Sequence, residues 1–292
     1  MARLAGAAGV SAAPAFHFIF GLRPQTAPLH LLHWLCLASC LVVNRPAALH
    51  FHYRHEPYGP WWERIRPHLR LHRVDAPVSG FAPERYAAHA EGAAIQRLGL
   101  DYAHEADFLR LDLLREHGGV YADMDTLFVR PYPTDWFEAE FFIGEEPAPH
   151  QPGRLLRPSL CNAVMGARPG ARFAAAWRER MAAVFDGSWS RHSCEEAARL
   201  WQSQPDAVRV LPAAYFYRYG SSSVGLRTLL QERDTPREDV YSVHLWAHLW
   251  WSRERADFSP VCAEDIDLAW LRRSDCTLAA LARPFLDGLD AA

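Results

Sequence analysis

Over its first hundred residues the chain alternates apolar runs of strand length with segments of helical pattern, and that rhythm admits few architectures. Ala15 to Phe20 (Ala-Phe-His-Phe-Ile-Phe) reads as a buried strand closed by Gly21. Pro28 to Asn44 reads as a helix ending near Pro46, Ala48 to Tyr53 as a second strand, Pro60 to Pro67 as a short helix, and Leu69 to Val74 as a third strand. Strands separated by helices predict an α/β fold with a largely parallel central sheet flanked by helices. Ligands of such sheets sit beyond the carboxyl ends of the strands.

Downstream, the Pro/Gly-rich stretch from Ala76 to Pro83 reads as a surface loop, and helical signals run from about Glu84 to His117. Gly118-Gly119 supplies the left-handed residue that closes a helix. Val120 to Val129 reads as one strand interrupted by two aspartates. Phe141 to Gly144 and Cys161 to Met165 read as further strands, separated by a proline-containing loop from Pro147 to Pro158, and Ala171 to Phe185 as a helix. Neither a repeat nor a linker is visible, so residues 15–292 are expected to form one domain behind a disordered Ala/Gly-rich start, residues 1–14.

Half of the 292 residues are hydrophobic, enough for a sizeable core. The net charge of -3 carries no basic block, which counts against nucleic acid as a partner. All 31 basic residues are Arg, so no reaction that needs a catalytic lysine is open to the chain. The six cysteines form no CxxC pair and read as reduced, buried thiols; Cys36 and Cys40, four apart on a helix, read as small core side chains. The longest apolar stretch, Leu29 to Val43, is broken by His30 and His33 and is too short to span a bilayer. The expected location is therefore the cytoplasm, with peripheral membrane association as a variant.

The chemistry is concentrated between His104 and Asp125. Asp107 and Arg110 share a helix face by their i, i+3 spacing, yet Phe108, Leu109, Leu111, Leu113 and Leu114 make nearly every face of that helix apolar. A charged pair in such a segment is costly unless it is partnered for a purpose. An apolar strand then delivers Asp123-Met124-Asp125. On an extended backbone, residues two apart project to one side with alpha carbons about 6.5–7 Å apart, so both carboxylates can face one point while Met124 anchors in the core. Turns also produce Asp-x-Asp, but the apolar residues on both sides favour the extended reading. Hard carboxylate oxygens suit Mg²⁺ or Mn²⁺, and such a cation polarises and orients a departing diphosphate.

A second constellation is Val243-His244-Leu245-Trp246-Ala247-His248-Leu249-Trp250-Trp251. The four-residue step from His244 to His248 places two imidazoles together if the segment is helical. Trp246, Trp250 and Trp251 read either as core or as surfaces for stacking on a sugar or base. Glu145 and Glu146 follow a predicted strand and read as solvated loop charges, with acceptor activation as the alternative.

Taken together, Phe18-Ile-Phe-Gly21, Asp107-Phe-Leu-Arg110, His117-Gly-Gly-Val-Tyr-Ala-Asp-Met-Asp125, Leu160-Cys-Asn162-Ala and His244-Leu-Trp-Ala-His248-Leu-Trp250 resemble the Asp-x-Asp glycosyltransferases of family 32. That is the sugar-binding-region group related to the catalytic domain of the large clostridial toxins. The resemblance implies a GT-A-type single domain, Mn²⁺ or Mg²⁺ as cofactor, and a nucleotide-sugar donor, UDP-linked in preference to GDP-linked. It further implies transfer of a hexosyl or N-acetylhexosaminyl group to a carbohydrate or other hydroxyl acceptor, with retention, as in polysaccharide biosynthesis.

By position in that family, Ile19 and Phe20 border the nucleotide base, and Asp107 and Arg110 contact the donor sugar and its phosphates. Asp123 meets ribose or sugar beside the metal, Asp125 ligates the metal directly, and Asn162 lines the sugar pocket. His244 or His248 completes the metal shell, His244 being favoured, and Trp250 covers the diphosphate. The chain departs from the family's His-His-Trp-Ala-Gly-Ser-Trp ending at Leu245, His248 and Leu249.

Two rivals stand beside this reading. Asp123-Met124-Asp125-Thr126 also fits the nucleophile motif of haloacid-dehalogenase-type phosphatases. Those place it near the first strand and need a downstream lysine, which is missing here. The 12% aromatic content would also suit a non-catalytic carbohydrate-binding protein, against which the intact pair of carboxylates counts.

Overall fold

The computed structural model describes residues 13–88, 90–146, 159–255 and 259–286. The expected disordered start lies outside the described residues except for Ala13 and Pro14, as does the whole proline-containing loop from Pro147 to Pro158. Nine strands are described: β1 (Ala15–Ile19), β2 (Ala48–Tyr53), β3 (Arg70–Arg73), β4 (Gly119–Ala122), β5 (Thr126–Phe128), β6 (Phe141–Glu145), β7 (Leu160–Ala167), β8 (Arg209–Leu211) and β9 (Ser242–His244). Seven make one sheet in the order β3-β2-β1-β4-β7-β6-β8, while β5 and β9 form a separate antiparallel ribbon. The β3-β2-β1-β4 half is parallel; β7 runs antiparallel to both β4 and β6, and β8 is parallel to β6. The α/β class, with a largely parallel sheet flanked by helices, is as the sequence predicts.

Both faces of the sheet are covered, which is why β1 is buried along nearly its whole length. Phe16 and Phe18 face the helix Leu31–Asn44, in a core that also takes in Phe51, Leu127 and Val243. Ile19 and Tyr121 face the other way, onto Phe108, Leu111 and Leu114 of the helix Asp101–His117 and onto Trp177 of the helix Arg172–Val184. All six cysteines are buried and free, as expected. No helix among the described residues is long and apolar enough to cross a membrane.

The Asp101–His117 helix positions the site, and its end is enforced sterically. Gly118 and Gly119 both have positive φ (67° and 87°). A Cβ on Gly118 would lie 2.6 Å from Pro169 Cδ, and one on Gly119 would lie 2.5 Å from Ala15 O. Only glycine lets the chain reverse here and enter β4 against β1.

Two predicted elements are subdivided. The helical stretch from Glu84 is a 3₁₀ segment (Pro83–Ala88), a helix (Ala90–Arg97) and then the long helix, with Gly99 at φ 61° between the last two. The single strand from Val120 to Val129 is two strands in two different sheets, β4 and β5, joined by the aspartates. Hydrophobic pattern reports burial on both sides of that junction but carries no sign that the pairing partner changes.

Candidate active site

Beyond the carboxyl ends of β1 and β4 lies a cavity of about 340 Å³, walled by Asp107, Arg110, Asp123, Asp125, Asn162 and His244 among others. Asp123 is the first residue after β4. Its backbone N–H donates to Ala163 O of β7 at 2.9 Å, and its Oδ1 accepts from Tyr121 Oη at 2.5 Å. Thr126 N–H returns to Asp123 O at 3.0 Å, closing a tight turn. The expectation that the two carboxylates align through the pleat of one strand is thus corrected: a turn brings them together.

Asp125 is held from the opposite side. Its carbonyl accepts from Leu245 N (2.8 Å) and its Oδ2 from Ala247 N (2.8 Å). Antiparallel register sets Thr126 of β5 against His244 of β9, and this delivers His244 Nε2 to 3.0 Å from Asp125 Oδ1 and 3.7 Å from Asp123 Oδ2. Among the described residues, Asp123, Asp125 and His244 are the one group of three such side chains whose donor atoms lie within 4.8 Å of one another.

The helical reading of His244 and His248 is corrected as well. His244 ends a strand, Trp246 sits in the left-handed region at φ 53°, and His248 belongs to the short helix Ala247–Trp250. His248 lines the same cavity and stacks on Trp189 at 5.3 Å, but it stands outside the three-donor group. Burial brings its pKa down to about 4, so its imidazole is neutral at pH 7.

Charges in the cavity are set by their neighbours. Burial acts to raise the Asp125 pKa, but the charge and hydrogen bond of His244 and the Ala247 N–H outweigh it and hold the carboxyl well below its usual range. Burial, only partly offset by Arg110 and reinforced by the Asp125 charge, pushes Asp123 upward. His244 is drawn upward despite burial because it faces both carboxylates. The donor set fits a divalent cation: two hard oxygens and one imidazole, the carboxylates fixed by hydrogen bonds behind them.

The Asp107–Arg110 pair is buried, as its apolar surroundings predict, and fully partnered. Arg110 Nη2 lies 3.1 Å from Asp107 Oδ1 and 3.3 Å from Asp123 Oδ1, Nη1 donates to Asn162 O at 2.8 Å, and the guanidinium stands over the Tyr121 ring at 4.6 Å. Asn162 Nδ2 donates to Asp107 Oδ1 (2.7 Å), and His192 Nε2 donates to Oδ2 (2.9 Å). Burial would raise the Asp107 pKa; Arg110 and His192 lower it below the ordinary value. Arg110 resists the opposing effect of burial through Asp123, Tyr121 and Asp107 and stays charged. His192 has no signal in the sequence. It sits on a single π-helical turn, Arg191–Glu195, a form often found at functional sites.

Ile19 and Phe20 line the cavity. Phe20 lies 4.8 Å from the His33 ring, and His33 stacks on Trp251 at 5.0 Å with 12° between planes. Trp250 does not reach the cavity: it is fully buried and donates Nε1–H to Leu245 O at 2.7 Å. Trp246 and Trp251 line the wall instead, because the left-handed turn at Trp246 rotates the following residues away from the helical phase their spacing suggests. Glu146 also lines the cavity, with its carboxyl raised by burial, whereas Glu145 is exposed.

Residues 82–142 match a family model described as "Glycosyltransferase sugar-binding region containing DXD motif". That window takes in Asp107, Arg110, Asp123 and Asp125 and stops before Asn162 and His244. The chain is similar to glucan organizing enzyme 1 of Cryptococcus neoformans var. grubii, with 29% identity over 249 residues, 82% of this chain and 64% of the relative. It therefore spans less than two thirds of that relative's length. A solved structure of the PaToxG glycosyltransferase aligns over 66% of this chain and 70% of its own, at 16% identity and a TM-score of 0.46. The resemblance to Asp-x-Asp glycosyltransferases is borne out by the family match over residues 82–142.

Proposed function

We propose that the chain is a divalent-metal-dependent glycosyltransferase that moves a hexosyl or N-acetylhexosaminyl group from a nucleotide sugar, UDP-linked rather than GDP-linked, to a hydroxyl acceptor with retention. The observation that carries this reading is the convergence of Asp123, Asp125 and His244 at a cavity whose wall also holds the satisfied Asp107–Arg110 pair. These three side chains would hold Mn²⁺ or Mg²⁺, and the imidazole favours Mn²⁺. The bound ion supplies Lewis-acid stabilisation of a departing diphosphate.

The protein's own groups divide the remaining work. Arg110 presents a fixed cation toward the donor phosphates, held by Asp107, Asp123 and the Asn162 carbonyl. Asp107 and Asn162 offer hydrogen-bond acceptors and donors to sugar hydroxyls, their rotamers locked by each other and by His192. Ile19 and Phe20, with His33 and Trp251 beside them, form an apolar and aromatic wall suited to a nucleobase. The name of the fungal relative motivates a glucan or another polysaccharide as acceptor. Incubation with Mn²⁺ and a panel of UDP- and GDP-sugars should release free nucleotide from one donor, more strongly with acceptor present. Retained donor binding with no turnover of any sugar would replace this reading with a carbohydrate-binding role.

A further inference from the structure

Five histidines gather on the edge of the sheet formed by β1, β2 and β3, outside the cavity, and glycosyl transfer makes no use of them. Register places His17 beside His50 and His52 beside His72 on one face. His17 Nδ1 and His52 Nε2 are 3.1 Å apart, and His50 Nδ1 and His72 Nε2 are 2.7 Å apart. The rings stack with centroids 4.9 Å apart for His17–His50, His50–His72 and His52–His72, and His117 joins at 6.1 Å from His17.

Four of these imidazoles, His17, His50, His52 and His72, avoid charge. Burial first, then the other histidines, brings His17 down to about 3 and His52 to about 2; burial and then His72, Arg70 and His117 lower His50 too. His72 is lowered by burial, His117 and Arg70. At neutral pH His17, His50, His52 and His72 are thus uncharged, and in each close pair one ring's N–H donates to its neighbour's lone pair; Arg70 and, beside His117, Glu116 are fixed charges nearby. Stacking alone does not require histidine. What histidine adds is a set of nitrogen donors, two of the rings (His72 and His117) open to solvent.

We propose that this imidazole cluster is a second metal site, entered at the His50–His72 pair and selective for a borderline divalent cation such as Zn²⁺. Neighbouring ligands of a tetrahedral ion with Zn–N bonds of about 2.0 Å lie about 3.3 Å apart, so each nitrogen pair needs only a small opening to exchange its shared proton for the ion. No three nitrogens of the cluster meet within 4.8 Å as placed. His117, at the rim and half exposed, supplies the third by rotating its side chain. The nitrogen-rich set separates this site from the oxygen-rich cavity by ligand chemistry.

The test is calorimetric titration of the full chain with ZnCl₂ at pH 7.5 in the Asp125→Ala background, which weakens the cavity site. One equivalent is expected to bind. His50→Ala with His72→Ala should abolish that equivalent or weaken it at least tenfold, and His68→Ala, an exposed control, should leave it unchanged. His72→Ala alone, exposed on the edge strand, should give at least a tenfold loss should the double variant not fold. Zn²⁺ bound unchanged by the ladder variants, or no binding in the Asp125→Ala background, overturns the proposal.

Discussion

The cavity and the histidine ladder are two clusters of titratable side chains on one sheet, and they solve burial in opposite ways. In the cavity, unlike charges are brought together and every oxygen of Asp107 is given a donor. On the ladder, like groups are packed ring on ring and stay uncharged. The first arrangement is specific and fails when one partner is removed; the second is tolerant at neutral pH and fails when protons are added.

Removing one partner tests the first half of that contrast most severely. Arg110→Met leaves Asp107 buried without its counter-charge, and chemical denaturation should register a loss of about 3–5 kcal/mol. A loss below about 1 kcal/mol would mean that His192 and Asn162 suffice. Next in size, Asp125→Ala should cut metal-dependent nucleotide release on the order of 100-fold or more, and should also lower the thermal midpoint by a few degrees, because the Ala247 N–H and His244 lose their carboxylate partner. Wild-type donor affinity in that variant would sever the carboxylate from the donor.

Acid separates the ladder from the cavity's carboxylates by pH window. A histidine of ordinary pKa 6.5 that falls to about 3 (His17) or about 2 (His52) on folding binds more protons unfolded than folded below 6.5. Its contribution is complete above 6.5 and is lost as pH falls toward those values, with a slope approaching about 1.4 kcal/mol per pH unit for each group. Asp107 and Asp125, whose folded values are depressed, begin to lose their contribution only as pH falls below the ordinary carboxylate range. Urea midpoints should therefore decline between pH 6 and pH 4.5, and His17→Leu should take away one group's share of that decline, the rest coming from the other ladder rings and from His30, His104 and His248. An unchanged slope would contradict the ladder's neutrality.

The smallest effect concerns two neighbouring tryptophans. Trp251→Ala should raise the donor KM a few-fold with little change in stability, as expected for one ring lost from a stacking wall. The same change at the buried Trp250 should act on stability and not on donor recognition.

Local features of this fold were legible in the sequence. β1, β2, the Leu31–Asn44 helix and the glycine stop after His117 announce themselves by period, by length and by residues that tolerate unusual backbone. The burial of Asp107 and Arg110 follows from their apolar neighbours. The Asp-x-Asp turn reads as a strand in the sequence because apolar residues flank it on both sides, although each flank serves a different sheet. His192 is 85 positions from Asp107 and arrives through a π-helical turn that no spacing rule anticipates. Trp246 occupies a left-handed conformation unusual for a bulky residue, so the helical spacing of His244 and His248 does not hold, and Trp250, which the resemblance sets over the diphosphate, is a buried core ring.

The handover of the chain from β4 to β5 gives the acidic pair an unusual footing. Asp123 is moored to the main sheet through Ala163, and Asp125 to the segment that follows the small ribbon through Leu245 and Ala247. An ion gripped by both would rivet that seam, so the gap between sheet and ribbon would set how tightly it is held.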